Sequence, residues 1–302
     1  MGSSERHSRD SVRQSDSTTT LHKNKTGRGD ALVCGLARRD SDAILRPSPA
    51  AQGKTLKRWA MSRDTFDILF LIARPAAGKS EIIDYLKCTD VQTRRARFHI
   101  GPFVELDDFP MLWTWFEEDR ILARMGHPRL HTDADEYFTH RYLWDLLIER
   151  LSLEYTKLLR DQPGYHQEGG TVIVEFSRGK EHGGFRQAFE HVAPEMLRHG
   201  AILYIDVSWE ESLRKNRARA NPDRPDSILQ HSLSDEKLAH LYRVSDWAEF
   251  SAGDPERVAI QGICVPYVVF PNEDDVTTER DSALGQRLAD ALAHLWHVYA
   301  AA

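Results

Sequence analysis

The chain has 302 residues, of which 41% are hydrophobic and 28% charged, as in ordinary globular proteins, and its three scattered cysteines (Cys34, Cys88 and Cys264) show no disulfide framework or zinc-site spacing. The net charge is −6, but it is unevenly distributed: residues 1–60 hold 12 Lys and Arg against 6 Asp and Glu, so they carry +6 and the remainder carries −12. Such an acidic remainder disfavours general nucleic-acid binding. No apolar run approaches the roughly 20 residues of a membrane span, and we expect a cytoplasmic protein.

Residues 1–60 form the first predicted segment. The stretch "MGSSERHSRDSVRQSDSTTT" is rich in Ser, Thr and Arg, and such a composition buries too little apolar surface to offset its ordering entropy. We therefore predict a disordered, low-complexity extension. A transit peptide is an alternative that its acidic residues oppose, and Met61 is an alternative start. Residues 61–302 are predicted to form the folded domain.

Apolar runs and amphipathic runs alternate from residue 66 onward. The five predicted strands are 66–73 (FDILFLIA), 96–108, 171–179, 201–208 and 263–270. The predicted helices are 79–88, an aromatic region within 109–161, 184–200, one that begins at 209, and 277–300. Strands that alternate with helices predict an α/β fold with a parallel sheet covered on both faces.

The stretch "ARPAAGKS", residues 73–80, joins the first predicted strand to the first predicted helix. It fits the phosphate-binding loop pattern, with Ala73 where glycine is usual. Gly78 lets the backbone approach a phosphate closely, Lys79 supplies a cation to the β- and γ-phosphates, and Ser80 offers a hydroxyl to Mg²⁺. The helix that follows points its positive end at the anion. The bland alternative is an ordinary turn into a helix.

With this loop the chain resembles the P-loop kinases of the nucleoside and nucleotide kinase group, over about residues 66–300. The resemblance implies a three-layer α/β/α P-loop NTPase fold with a five-stranded parallel sheet, a helical acceptor-binding insertion and a lid. It implies ATP and Mg²⁺ as cofactors. The residues expected to bind the nucleotide are Ala73, Arg74, Pro75, Ala76, Ala77, Gly78, Lys79, Ser80, Glu81 and Arg214, with Lys79 also catalytic.

Two further motifs carry the resemblance at strand ends. In "VELDDF", Asp107 or Asp108 is expected to be the general base or substrate anchor, and Phe109 to contact the acceptor; helix capping is the alternative. In "TVIVEFSRG", Glu175 is expected to bind Mg²⁺ or substrate, because a buried charge needs a metal or cation partner. Arg178 is expected to bind the substrate, with a solvated salt bridge as the alternative.

The fourth motif, "YIDVSWEESLRKNRARANPDRP", places four arginines within eleven residues of an otherwise acidic body. They are Arg214, Arg217, Arg219 and Arg224. In the resembling kinases this helix and the next loop form the lid, and an arginine spreads charge over phosphate oxygens. Arg217 is the best candidate for a catalytic residue. The alternative is a solvated cationic helix face.

The acceptor is not fixed by the sequence. Nine aromatic residues lie between the second and third predicted strands, and we expect most in the core and at most one or two in a pocket. They are Phe103, Phe109, Trp113, Trp115, Phe116, Tyr137, Phe138, Tyr142 and Trp144. Arg120, Arg124 and Arg129 would contact a substrate phosphate or be merely exposed. The loop "FPNEDD" (270–275) would pack beside adenine or be a plain connection.

The favoured hypothesis is an ATP-dependent small-molecule kinase that transfers the γ-phosphoryl group to a nucleoside-like, nucleotide-like or similar hydroxyl- or phosphate-bearing acceptor. The alternative is a nucleotide-binding regulator without transfer chemistry. A kinase of nucleic-acid ends or of proteins would need a cationic groove, which the acidic body disfavours. We expect ATP and a small molecule as partners, no nucleic acid and no membrane. A homodimer is left open.

Overall fold

The described residues of the computed structural model are 64–219 and 233–301. All of them belong to the second of two structural units, Trp59–Ala302. The predicted disordered extension 1–60, the loop 221–225 and Arg224 lie outside the described residues. Cys88 and Cys264 are exposed free thiols. Among the described residues, no helix combines the length and the apolar character that crossing a bilayer requires.

Within the described residues, six strands form one sheet. They are β1 (Ile68–Ala73), β2 (Phe103–Asp107), β3 (Thr171–Phe176), β4 (Gly200–Asp206), β5 (Arg257–Ile260) and β6 (Ile263–Pro271). Their order across the sheet is β2-β3-β1-β4-β6-β5. Strands β2, β3, β1, β4 and β6 are parallel, as the alternation of strands and helices predicts. Strand β5 pairs antiparallel with β6 at the edge.

The expected count of five strands is therefore wrong by one. The additional strand β5 is joined to β6 by a tight turn at Gln261 and Gly262, both with positive φ. Such a turn matches the twist of two antiparallel strands. The sequence hides this hairpin because only Val258 and Ile260 give the short strand an apolar face.

The helices are, in chain order, α1 (Lys79–Cys88), α2 (Val91–Phe98), α3 (Phe109–Arg124), α4 (Tyr142–Asp161), α5 (Gly184–Glu190), α6 (Pro194–Arg198), α7 (Trp209–Arg219), α8 (Asp235–Tyr242), α9 (Trp247–Phe250), α10 (Val276–Glu279) and α11 (Ser282–Ala300). A short 3₁₀ turn, Lys180–His182, precedes α5. Most of these helices lie where amphipathic runs were predicted.

Three predicted boundaries need correction. Residues 96–98 end helix α2 rather than beginning a strand, because Asp90 caps that helix through the N–H groups of Gln92 and Thr93. The single helix predicted over 184–200 divides before Pro194, which cannot continue a helix. The closing helix is two helices, and Asp281 caps the second.

Alternate side chains of the central strand β1 enter two separate cores. Ile68, Phe70 and Ile72 pack with helices α4, α5, α6 and α9. Leu69 and Leu71 pack on the opposite face with α1, α2 and α11. Since successive side chains of a strand point to opposite faces, a strand buried on both faces needs a continuous apolar run, as in 66–73. The fold thus has helices on both sides of a mostly parallel sheet.

The connections after β1 and β3 leave the sheet in opposite directions. Helix α1, which follows β1, packs on one face, and helix α5, which follows β3, packs on the other. The two strands are neighbours, so a crevice opens between their carboxyl ends. In open α/β sheets such a crevice is where ligands bind.

Candidate functional site

The β1–α1 loop has a backbone that only certain residues tolerate. Ala76 has φ +56°, and Gly78, directly before α1, has φ +114°. A Cβ atom on Gly78 would lie 2.6 Å from Thr277 Oγ1 and 2.8 Å from Asn272 Nδ2. The glycine is therefore required both by its left-handed conformation and by the neighbouring loop after β6. Ala73 ends β1 fully buried, where a small side chain suffices.

Side chains from two other elements donate hydrogen bonds to carbonyl groups of the β1–α1 loop. Asn272 Nδ2 donates to the Ala77 carbonyl oxygen at 2.8 Å, and Ser212 Oγ on α7 donates to the Pro75 carbonyl oxygen at 2.8 Å. Asn272 itself is fully buried. The loop 270–275 thus holds the β1–α1 loop in position, a role that the sequence analysis did not foresee.

Lys79, the first residue of α1, is directed to the end of the neighbouring strand β3. Its Nζ donates to Ser177 Oγ at 2.7 Å and lies 3.7 Å from Glu175 Oε1. The lysine is only 8% exposed, whereas Ser80 beside it is exposed. The structure therefore brings Glu175, which is distant in the sequence, beside Lys79 at the start of α1.

Two carboxyl groups, those of Asp107 and Glu175, lie at this edge of the sheet, and both have raised pKa values. Asp107 and Glu175 are register partners on β2 and β3. Burial, with the nearby charges of Glu175 and Asp108, raises the pKa of Asp107 to about 8. Burial also raises the pKa of Glu175, although Lys79 opposes this. Among the described residues Asp107 forms no ion pair, and its Oδ1 accepts the N–H of Phe109 at 3.0 Å.

Asp108 has different surroundings. Its Oδ2 accepts a hydrogen bond from Arg178 Nη1 at 2.6 Å. Arg178 is 2% exposed and also donates to the carbonyl oxygens of Ser177 and Trp144. The predicted substrate residue Arg178 is therefore engaged by Asp108 and by backbone.

These side chains line one cavity of about 830 Å³. The lining includes Pro75, Ala76, Lys79, Ser80, Asn216 and Arg219. Its Phe, Tyr and Trp residues are Phe109, Phe116, Tyr137, Phe138, Trp144, Phe176 and Tyr242. The expectation that at most one or two of the nine aromatic residues reach a pocket is wrong, since five of them do. The segment between α3 and α4 contributes Tyr137 and Phe138 to the cavity wall, and the two helices contribute the other three.

Asp119 fixes that segment. It is fully buried on α3, and its carboxylate accepts the N–H groups of Leu130, His131 and Thr132 at 2.6 to 3.0 Å, besides the hydroxyl of Thr132. Lys237 on α8 donates to the Asp135 carbonyl oxygen at 2.6 Å. No sequence motif identifies Asp119, because a buried aspartate on a helix cannot be distinguished in the sequence from an exposed one.

Three arginines predicted to bind nucleotide or to catalyse do not line the cavity. Arg74 donates to the carbonyl oxygens of Tyr242 and Arg243. Arg214 pairs with Glu211 and Asp275, and Arg217 with Asp235 at 2.6 Å. The arginine of this helix that lines the cavity is Arg219, which lies 3.3 Å from Glu81.

Arg120 and Arg129, proposed as phosphate contacts, likewise do not line the cavity. Arg120 pairs with Glu136 at 2.6 Å, and Arg129 donates to Thr132. Arg124 also lies outside the cavity lining.

The donor set fits a magnesium ion held mainly by a nucleotide. Within residues 64–219 and 233–301 no group of three or more His, Cys, Asp or Glu side chains could hold a metal by itself. Mg²⁺ needs only one or two protein oxygens when phosphates supply others. Ser80 and Glu175 both line the cavity beside Lys79 and could supply those oxygens.

No protein-family model matches the sequence, and no curated protein sequence matches it. A solved structure with detectable similarity is the unliganded crystal structure of a sugar kinase from Janibacter sp. HTCC2649. The two sequences are 14% identical, and the match covers 76% of this chain and 97% of that chain with a TM-score of 0.34. At this TM-score the two backbones coincide only loosely.

Proposed function

We propose that the protein is an ATP-dependent phosphotransferase that transfers the γ-phosphoryl group to a hydroxyl or phosphate oxygen of a small molecule. The observation that carries this proposal is the convergence of Lys79, Ser80, Asp107 and Glu175 on one crevice at the carboxyl edge of a parallel sheet. A glycine with φ +114° opens helix α1 at the same point. A helix amino terminus after such a loop favours bound phosphate.

The β1–α1 loop is the proposed binding site for the β- and γ-phosphates. Its backbone N–H groups and Lys79 Nζ would contact the phosphate oxygens, and Arg219 would reach them from α7. Ser80 and Glu175 would hold Mg²⁺, which would supply positive charge that neutralises the phosphates. Arg214 and Arg217 remain sequence-based candidates, but their carboxylate partners favour Arg219.

Asp107 is the proposed general base. The acceptor oxygen attacks the γ-phosphorus, the bond to the bridging oxygen breaks, ADP departs, and the hydroxyl proton passes to the Asp107 carboxylate. Asp108 is the weaker candidate because Arg178 already engages it at 2.6 Å. Asp108 and Arg178 would instead hold the wall of the acceptor site, where Phe109 lies.

The test is ADP formation from Mg·ATP by the full chain against a panel of nucleosides, nucleoside monophosphates, sugars and hydroxylated cofactors. Lys79→Ala is expected to lower kcat by at least about 100-fold, since it removes a cation from the developing phosphate charge. Lys87→Ala is the matched control, because Lys87 lies on the same helix but outside the cavity and pairs with Glu105.

Full activity in Lys79→Ala would rule out this function. Tight Mg·ATP binding without transfer to any panel member would instead support the regulatory alternative. Circular dichroism of both lysine variants checks that each is folded.

A further inference from the structure

His182 lines the cavity but has no part in the phosphoryl transfer just described. It ends the 3₁₀ turn after β3, and it is 2% exposed. Its ring stacks on Trp144 with 3.8 Å between centroids, and it meets the ring of Tyr242 edge-on at 4.8 Å. Both aromatic partners line the same cavity.

The two ring nitrogens of His182 have different roles. The backbone N–H of Gly179 donates to Nδ1 at 3.3 Å. A nitrogen that accepts a hydrogen bond carries no proton, so the neutral ring has its proton on Nε2. Burial lowers the pKa of His182 well below its usual value, and the charges of Arg178, His240 and Arg141 lower it further. The ring is therefore neutral near pH 7, with Nε2–H as a donor.

That donor is buried and has no hydrogen-bond partner among the described residues. Most buried polar side-chain atoms in folded proteins are hydrogen-bonded, because an unsatisfied one costs free energy. Because His182 lines the cavity, a molecule bound there is the candidate source of the missing hydrogen-bond acceptor. Since Nε2 already carries the proton, His182 cannot serve as the base that Asp107 provides.

We propose that His182 selects the acceptor molecule, with Nε2–H donating a hydrogen bond to one of its oxygen or ring-nitrogen atoms. This inference rests on the proposed phosphotransferase function. It specifies an acceptor that carries a hydrogen-bond-accepting atom apart from the oxygen that is phosphorylated. Aromatic faces such as Trp144 and Phe138 then surround that part of the molecule.

The kinetic test compares two variants of the full chain with the best acceptor of the panel. His182→Leu removes the donor, and His182→Gln keeps an N–H donor near the position of Nε2. We expect His182→Leu to raise the KM of the acceptor about tenfold, the effect of one hydrogen bond, with the KM of ATP unchanged. His182→Gln should stay within about threefold of the wild type.

His166→Gln is the matched control. His166 is also buried, but its Nδ1 is bonded to the Gly170 carbonyl oxygen before the amino end of β3, away from the cavity. An unchanged acceptor KM in His182→Leu would overturn the inference. Equal losses in the Leu and Gln variants would also overturn it, because they would indicate packing on Trp144 rather than donation.

A second measurement does not depend on activity. Nitrogen-15 NMR of histidine side chains in the full chain, assigned with His182→Gln, should show a neutral ring protonated on Nε2 between about pH 6 and pH 8. Adding panel compounds without ATP should shift the Nε2 signal. A shift without any phosphoryl transfer would refute the phosphotransferase but retain the ligand site. A charged ring at about pH 6, or no shift with an acceptor that is turned over, would refute the role of His182.

Discussion

Asp107 and Asp108 are adjacent in the chain, yet their surroundings differ. The side chain of Asp107 lies beside Glu175 on the neighbouring strand, whereas Asp108 is bonded to Arg178. One carboxyl group therefore has its charge disfavoured, and the other has its charge paired. Under the proposed function, this difference makes Asp107 the general base, whereas Asp108, together with Arg178, holds the wall of the acceptor site.

The pH dependence of turnover follows from Asp107. Its pKa of about 8 means that the carboxylate form, which a base requires, increases as pH rises toward about 8. We expect kcat/KM to rise with pH below about 8 and to level off above it. Asp107→Asn should lower kcat at least about 100-fold above about pH 8 and should remove the rise of activity with pH. A profile already level at about pH 6 would contradict this assignment.

The same residue links activity to stability. Because folding raises the pKa of Asp107 above its ordinary value of 3.8, its contribution to stability is full below that value and is lost as pH rises through about 8. Asp107→Asn removes this loss, so we expect it to raise the free energy of unfolding by up to about 5 kcal/mol near pH 8 and to change it little near pH 4. Denaturant unfolding at the two pH values measures this.

The control for the stability measurement is Asp206→Asn. Asp206 also ends a strand of the sheet, but it is exposed and lies outside the cavity lining. Equal stabilisation in both variants would show that the effect does not come from the buried site.

At the scale of elements, the helical period of α7 decides which arginine reaches the cavity. Arg214 and Arg217 are three residues apart and share a face, as predicted, but that face meets Asp275 and Asp235. Asn216 and Arg219, also three apart, line the cavity. The spacing of the arginines predicts their shared face, but the orientation of the helix depends on the elements packed around it.

We therefore expect Arg219→Ala and Arg217→Ala to behave differently. Arg219→Ala should lower kcat about 100-fold, because it removes a cation near the proposed phosphates. Arg217→Ala should change kcat less than about threefold, since an exposed ion pair contributes little. Steady-state ADP formation measures both. A large loss in Arg217→Ala alone would restore the sequence-based assignment.

At the scale of the whole molecule, the cavity is assembled from segments far apart in the chain. The β1–α1 loop, the ends of β2 and β3, the segment before α4, and helices α7 and α8 all contribute residues to its wall. A ligand that contacts several of these segments binds the folded state and hardly the unfolded one. Its binding should therefore raise the unfolding temperature of the protein.

Mg·ATP at about 100 times its Kd should stabilise the protein by about 2.7 kcal/mol. For a folded region of this size, that corresponds to a rise in Tm of roughly 5 to 10 °C. Differential scanning calorimetry of the full chain measures this. Mg·AMP, which lacks the β- and γ-phosphates, should give a much smaller rise, and Lys79→Ala should abolish the effect of Mg·ATP. Equal shifts with AMP and ATP would exclude the proposed phosphate site.

Local patterns were sufficient for much of the fold. The apolar run 66–73 predicts a strand buried on both faces, and the order of strands and helices predicts a parallel sheet with helices on both sides. These features depend on burial and periodicity within a few residues. The same local reading missed β5 and the helix α2, because a two-residue turn and a capping aspartate outweigh weak apolar patterns.

Sequence patterns were sufficient to predict the α/β architecture, the position of the loop before α1 and a short set of polar residues at strand ends. The folded chain was needed to show that Asp107 pairs in register with Glu175, that Arg178 is bonded to Asp108, and that His182 lines the cavity. The physical reason is the distance along the chain over which each interaction acts. Propensity and burial act between near neighbours in the chain, whereas hydrogen bonds, ion pairs and pKa values depend on residues that only the folded sheet brings within a few ångströms.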